Sequence, residues 1–324
     1  MIIMKVTSDM IHKELRLNGT LMRTFLSKSS EKKFKKMQKL VRKVIVGYKS
    51  KRIRCEEVTI EKTDGSELRL CIYSPLSEVR NVPGFLWIHG GGYAIGAPEM
   101  DIPYAEKFIN AKKCVIVAPD YTLSTEKPYP AALEDCYEAL LWMKENAETL
   151  GIRDDQLFVG GESAGGGLTA ALTLYARDKG EVNIAFQIPL YPMIDDRMKT
   201  DSMQDNDAPI WNYNSNSVAW KMYLGDLYET KQVPKYAAAA RETDYSNLPP
   251  TYTFVGDIEP FYDETLIYID NLKQAGVPAD VTVYKGCYHG FDAVSRRAEI
   301  SKTANEKLVQ EYVYAVESYF AKQK

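Results

Sequence analysis

The sequence predicts an α/β fold, a mostly parallel sheet with helices on both faces. Three observations carry this. Short apolar runs alternate with helical patterns along most of the chain, which is the signature of strands joined by crossover helices. One apolar run, Gln156 to Gly160, breaks at Gly161-Glu162-Ser163-Ala164-Gly165 and resumes as an alanine-rich helical pattern. A turn signal, Asp64-Gly65, separates two alternating segments near the start of this region and marks an antiparallel hairpin ahead of the parallel part.

Taken in order, residues 1 to about 55 form a separate compositional zone, basic from Lys28 to Arg54. There Phe34, Met37, Leu40, Val41, Val44, Ile45 and Tyr48 recur at helical spacing. One reading is a basic amphipathic helix that touches anionic lipid; the other is a packed helix with a solvated lysine face. The hairpin follows, Val58-Thr59-Ile60 and Leu68 to Tyr73. Further strands are expected near Phe85 to Ile88, Cys114 to Ala118, Leu157 to Gly160, Ile184 to Leu190, Thr251 to Val255 and Val281 to Tyr284. Among the helical patterns the clearest is Ala132 to Ala147, with Leu133, Cys136, Tyr137, Leu140 and Met143 on one face. From about Asp196 to Asp244 an insertion rich in Asp, Asn, Trp and Tyr interrupts the alternation; it includes Trp211, Tyr213, Trp220 and Tyr223.

The run around Ser163 points to chemistry. A serine on a sharp strand-to-helix turn projects its Oγ clear of the sheet, where a base can deprotonate it and a carbonyl carbon can reach it. Flanking glycines suit a turn too tight for a Cβ. The competing reading is a glycine-rich helix cap.

A serine nucleophile needs a base, and the chain has three histidines. His12 lies in a charged stretch, Ile11-His12-Lys13-Glu14, and reads as a solvated surface residue. His89 opens His89-Gly90-Gly91-Gly92-Tyr93 after an apolar strand; consecutive glycines there expose N–H groups that can approach a substrate, as an oxyanion site requires. His289, in Gly286-Cys287-Tyr288-His289-Gly290-Phe291 just past a strand, is left as the base. An orienting carboxylate is expected after the strand ending at Val255, where Asp257 and Glu259 compete. Asp263 and Glu264 fall in the next helix and read as solvated or capping.

Together these motifs resemble the hormone-sensitive-lipase-like esterases of the α/β-hydrolase superfamily, from about Glu56 to the C-terminus. Pro119-Asp120-Tyr121, Tyr129-Pro130-Ala131-Ala132-Leu133-Glu134-Asp135 and Tyr191-Pro192-Met193-Ile194-Asp195 correspond as well. The resemblance implies Ser163 as nucleophile, His289 as base, and Gly91, Gly92 and Ala164 as oxyanion donors. It implies Glu259, in Glu259-Pro260-Phe261, as the acid in place of the family's aspartate, with Asp257 in reserve. Two departures are Glu162 before the serine, where aspartate is common, and Thr122-Leu123-Ser124-Thr125-Glu126, where the family has Arg-Leu-Ala-Pro-Glu.

It also implies a helical cap in two parts, 1–55 and 196–244, on a catalytic domain formed by 56–195 and 245–324. The expected activity is hydrolysis of short-to-medium acyl esters through an acyl-enzyme on Ser163, with no cofactor and no metal. Two alternatives share the scaffold: an amidase or arylformamidase with the same triad, and a non-catalytic ligand receptor, which would lack the histidine that is present here. Homodimers are common in such a family.

Composition sets outer bounds. A 324-residue chain with 45% hydrophobic residues fills one large domain and a cap. A net charge of −3 argues against generic nucleic-acid binding. Five cysteines without a Cys-x-x-Cys pair carry no metal or redox signature, and Cys71, Cys114 and Cys136 read as core residues of a reducing compartment. The segment Met1 to Leu17 lacks a signal-peptide core, and no stretch reaches the ~18 apolar residues of a membrane span. The expected partner is a small ester in the cytoplasm, with no nucleic acid and no stable membrane insertion.

Overall fold

The computed structural model describes residues 5–26 and 29–323, so Met1 to Met4, Ser27 and Lys28 of the N-terminal zone lie outside the described residues. Two helices come first, α1 (Arg16–Leu26) and α2 (Glu31–Ile45). The sheet and its covering helices follow in chain order: β1 (Arg54–Glu61), β2 (Glu67–Ser74), β3 (Val82–Ile88), α3 (Ile102–Ala111), β4 (Val115–Pro119), α4 (Ala131–Glu145), α5 (Ala147–Leu150), β5 (Ile152–Glu162), α6 (Ala164–Lys179), β6 (Phe186–Leu190), α7 (Tyr213–Leu224), β7 (Thr251–Gly256), α8 (Tyr262–Gln274), β8 (Ala279–Tyr284), α9 (Phe291–Val294) and α10 (Glu299–Ser318).

Eight strands form one sheet in the order β1-β2-β4-β3-β5-β6-β7-β8. β1 and β2 pair antiparallel, as does β2 with β4; from β4 to β8 all pairs are parallel. The expected mostly parallel α/β sheet is therefore present, with the hairpin at its edge. β5 starts five residues earlier than the apolar run predicts, because Ile152 and Arg153 already pair with Val82 and Pro83.

The core divides by strand parity. In β3, Phe85 and Trp87 face one buried cluster with Phe108 of α3 and Leu308 and Tyr312 of α10. Leu86 and Ile88 face the other, with Leu133, Cys136, Tyr137, Leu140 and Met143 of α4 and Leu168 of α6. A strand with both faces covered must be apolar throughout, which is why β3 reads as a continuous run. All parallel strands end on one rim, and the loops leaving that rim carry the site.

The N-terminal apolar residues do not form one stripe. Ser30 caps α2 by accepting from the Lys33 N–H, and only Phe34 and Gln38 of the helix are buried. Met37 and Val41 pack half-buried beside them, whereas Leu40, Val44 and Tyr48 are 62%, 64% and 59% exposed. Their angle around the helix separates these sets: positions 34, 38 and 41 face the protein, while 40 and 44 face away.

Candidate active site

Ser163 sits between β5 and α6 at φ 59°, a left-handed conformation that costs energy in a non-glycine residue. Several backbone bonds hold it there. Its N–H donates to the Leu190 carbonyl at 3.0 Å, and its own carbonyl accepts from Gly167 (2.9 Å) and Met193 (3.0 Å). Gly165 is required by proximity, since a Cβ there would stand 2.0 Å from the Ile88 carbonyl oxygen.

His289 and Glu259 reach the serine from two other loops. His289 Nε2 lies 2.8 Å from Ser163 Oγ, and Nδ1 lies 2.5 Å from Glu259 Oε2. Glu259, fully buried, accepts a further bond from the Gly256 N–H at 2.9 Å. Burial raises its pKa, opposed by the adjacent His289 and the Gly256 amide. The imidazole is wedged edge-on against Tyr191 and Phe261, each with ring centroids 4.9 Å away. A ring so fixed, its Nδ1–H directed at a carboxylate, presents a free Nε2 lone pair to the hydroxyl. That is the arrangement a general base requires.

Asp257 does not meet the histidine in this arrangement. It accepts from the Gly286 N–H at 2.6 Å, tying the end of β7 to the loop that carries His289. The same Gly286 accepts from the His12 N–H at 2.8 Å, and His12 Nδ1 is buried without a partner among the described residues. His12 is thus a half-buried brace of this loop rather than a solvated residue. Glu264 also departs from expectation: it is buried and accepts from the Ile194 N–H at 3.0 Å, while Asp263 takes the Ser202 N–H at 2.7 Å. Both helix-start carboxylates satisfy loop amides that sequence periodicity does not reveal.

The glycine loop after β3 lies across from the serine. Gly90 donates to Glu162 Oε1 at 2.9 Å, so the residue before Ser163 pins the loop. Burial, then the neighbouring Asp101, pushes the Glu162 pKa well up. His89 Nδ1 contacts the Gly90 carbonyl at 2.8 Å and its ring stacks on Tyr121 at 4.3 Å. Burial lowers its pKa to about 4, so it is neutral near pH 7, and its Nδ1 is taken up by the Gly90 carbonyl of its own loop. Gly91 and Gly92 follow at φ +111° and +63°. Among the described residues none accepts from the amides of Gly91, Gly92 or Ala164. The Thr122 loop, without the family's arginine, is held by its backbone instead: Thr122 N–H donates to Asp135 (2.7 Å) and Ser124 N–H to the Tyr93 carbonyl (2.7 Å).

Two contributors, Gln38 and Asp292, were not singled out in the sequence, and a third, Trp211, had no assigned role there. Gln38 of α2 grips Gly96, donating to its carbonyl at 3.0 Å and accepting from its N–H at 2.8 Å. Trp211, one of the aromatics of the insertion, leaves no room for a side chain on Gly92: a Cβ there would stand 2.3 Å from its Cη2. Trp211 also stacks on Phe34 of α2, with centroids 6.1 Å apart. Buried Asp292 accepts from Tyr104 (2.6 Å) and Tyr191 (3.0 Å), fixing the ring that backs His289. Its signal was its place three residues after His289.

Comparison with known proteins bears on the family and the fold. Residues 85–293 match the family described as alpha/beta hydrolase fold. Carboxylesterase NlhH of Mycobacterium tuberculosis is 30% identical over 242 residues, 74% of this chain and 76% of its own length. An arylesterase of Saccharolobus solfataricus is 30% identical over 239 residues, 71% of this chain and 74% of its own. Among solved structures, a bacterial heroin esterase superposes with a TM-score of 0.87 at 32% identity, covering 96% of this chain and 99% of that one.

Proposed function

The chain belongs to the α/β-hydrolase fold family, as a carboxylesterase of its hormone-sensitive-lipase-like branch, and on that premise we propose how its residues divide the work. It is a carboxylic ester hydrolase. Ser163 Oγ attacks the ester carbonyl carbon while His289 Nε2 takes the hydroxyl proton. Glu259 holds the Nδ1–H tautomer and stabilises the imidazolium. The carbonyl oxygen becomes an oxyanion facing the N–H groups of Gly91, Gly92 and Ala164, each donor contributing on the order of 3 kcal/mol. The imidazolium gives its proton to the leaving alcohol as the C–O bond breaks, leaving an acyl-enzyme on Ser163. Water, deprotonated by His289, attacks that ester; the proton returns to Oγ and the acid departs.

The observation that carries this reading is the continuous relay from Ser163 Oγ through His289 to Glu259, at 2.8 and 2.5 Å, assembled from three separate loops. Asp257 is assigned to bracing, because its carboxylate is occupied by Gly286. The contacts of α2 and Trp211 with the glycine loop support a cap formed by residues 1–55 and 196–244. Such a crowded mouth favours short-to-medium acyl groups. The five cysteines are free, four of them buried, which supports a reducing cytoplasm. Matched p-nitrophenyl esters of graded acyl length, run on wild type and Ser163→Ala, test the reading. Turnover should peak at short-to-medium chains and vanish in the variant; a peak at long chains would overturn the substrate class.

A further inference from the structure

From Lys32 to Arg54 the chain carries eleven lysines and arginines and no acidic residue. Removing those eleven from the 41 in the whole chain leaves 30 against 44 acidic residues. A protein of nearly balanced net charge is therefore sharply polarised, its positive charge concentrated on one helix and the segment after it. Net charge conceals this entirely.

The same segment exposes apolar side chains. Leu40 and Val44 lie one turn apart on the outward face of α2, flanked by exposed Lys36, Lys39 and Lys43, and Tyr48 follows the helix end. The inward face is occupied by Phe34 on Trp211 and by Gln38 on Gly96. Packing thus fixes which side of α2 faces the site and which faces out. Among the described residues no helix is long and apolar enough to cross a membrane.

We propose that the outer face of α2, with Leu40 and Val44 set among lysines, docks flat on an anionic lipid surface. Lysines alone would suit any polyanion, because phosphate attraction is indifferent to what carries the phosphate. Exposed apolar side chains beside the lysines single out lipid: they gain by leaving water for the acyl boundary, whereas a nucleic-acid backbone would leave them wet. Docking by this face lays the cap against the bilayer and brings the loops beneath it close to membrane-borne esters. The proposal does not depend on the catalytic assignments, since binding can be measured without turnover.

The test is co-sedimentation of the full chain with vesicles of phosphatidylcholine alone or with ~30% phosphatidylglycerol, at near-physiological salt. Binding is expected only to the anionic vesicles and should weaken as salt rises. Lys36→Glu/Lys39→Glu/Lys43→Glu should weaken it roughly a hundredfold or more. Leu40→Ser/Val44→Ser, which keeps every charge, should weaken it about tenfold. Both variants should hydrolyse a soluble short-chain ester at wild-type rates, since neither touches the inward face; if the glutamate variant fails to fold, the corresponding glutamine triple replaces it. Equal or absent binding to both vesicle types overturns the proposal. So does unchanged binding of Leu40→Ser/Val44→Ser, or preference for duplex DNA over anionic vesicles at the same salt.

Discussion

Helices α6 and α2 both touch the glycine loop that follows β3 and are built by opposite rules. In α6 twelve of sixteen residues are buried, and the helix starts directly after Ser163, the proposed nucleophile. In α2 two of fifteen are buried, and the helix reaches the site through those two side chains. A helix constrained on every side has its residues dictated by close approach, hence the glycines and alanines after Ser163. A helix held along one side only leaves its other face free, and here that freedom is filled largely with charge. Chemistry should therefore be brittle on the α6 side and graded on the α2 side.

The sharpest way to break that contrast is the carboxylate at the end of the relay. Glu259→Ala should lower kcat by about 10³ to 10⁴, the scale seen when the orienting acid of such a triad is lost. Asp257→Ala removes only the tie to Gly286 and should cost less than tenfold; steady-state kinetics on one soluble ester decides. If Asp257→Ala proved the more damaging, the brace and the acid would have to exchange roles.

On the α2 side, Gln38→Leu removes two hydrogen bonds to Gly96 but keeps much of the side-chain volume. We expect kcat to fall about tenfold with little change in KM, because a loosened glycine loop weakens transition-state contacts more than ground-state ones. Affinity for a boronic acid that mimics the tetrahedral adduct should fall in parallel. A rise in KM alone would show that α2 binds substrate without steadying the loop.

A separate effect falls on stability rather than on rate, at His89 between the two regions. Burial holds its folded pKa near 4, against about 6.5 unfolded. Between those values the unfolded chain binds the extra proton, so His89 makes stability fall as pH drops from about 6.5 to 4 and level off below. The contribution is on the order of 3 kcal/mol. In denaturant titrations His89→Gln should show a shallower decline than wild type across that window, whatever its baseline. Parallel curves would mean that His89 protonates freely in the fold.

What the sequence discloses follows the same division. The parallel sheet, its antiparallel edge and the loops bearing Ser163 and His289 announce themselves locally, because strand periodicity and glycine turns are set by neighbours in the chain. The choice between Glu259 and Asp257 could not be made from their positions, two residues apart at one strand end; it depends on which carboxylate Gly286 captures across the loop. Glu264 reads as a solvated helix start because its partner, the Ile194 amide, is 70 residues away. The apolar residues of α2 read as one stripe because spacing alone does not say which of two adjacent helix faces meets protein. Gln38 carried no signal at all: an amide in a lysine-rich helix looks solvated until Gly96 is placed beneath it.

Covalent labelling tests the central assignment most directly. Treating the enzyme with a p-nitrophenyl dialkyl phosphate and mapping the adduct by peptide mass spectrometry should place one phosphoryl group on the Ser163 peptide. Labelling should be absent in Ser163→Ala and slowed by orders of magnitude in His289→Ala. Inactivation with the label on another residue, or undiminished ester turnover by Ser163→Ala, would contradict the account.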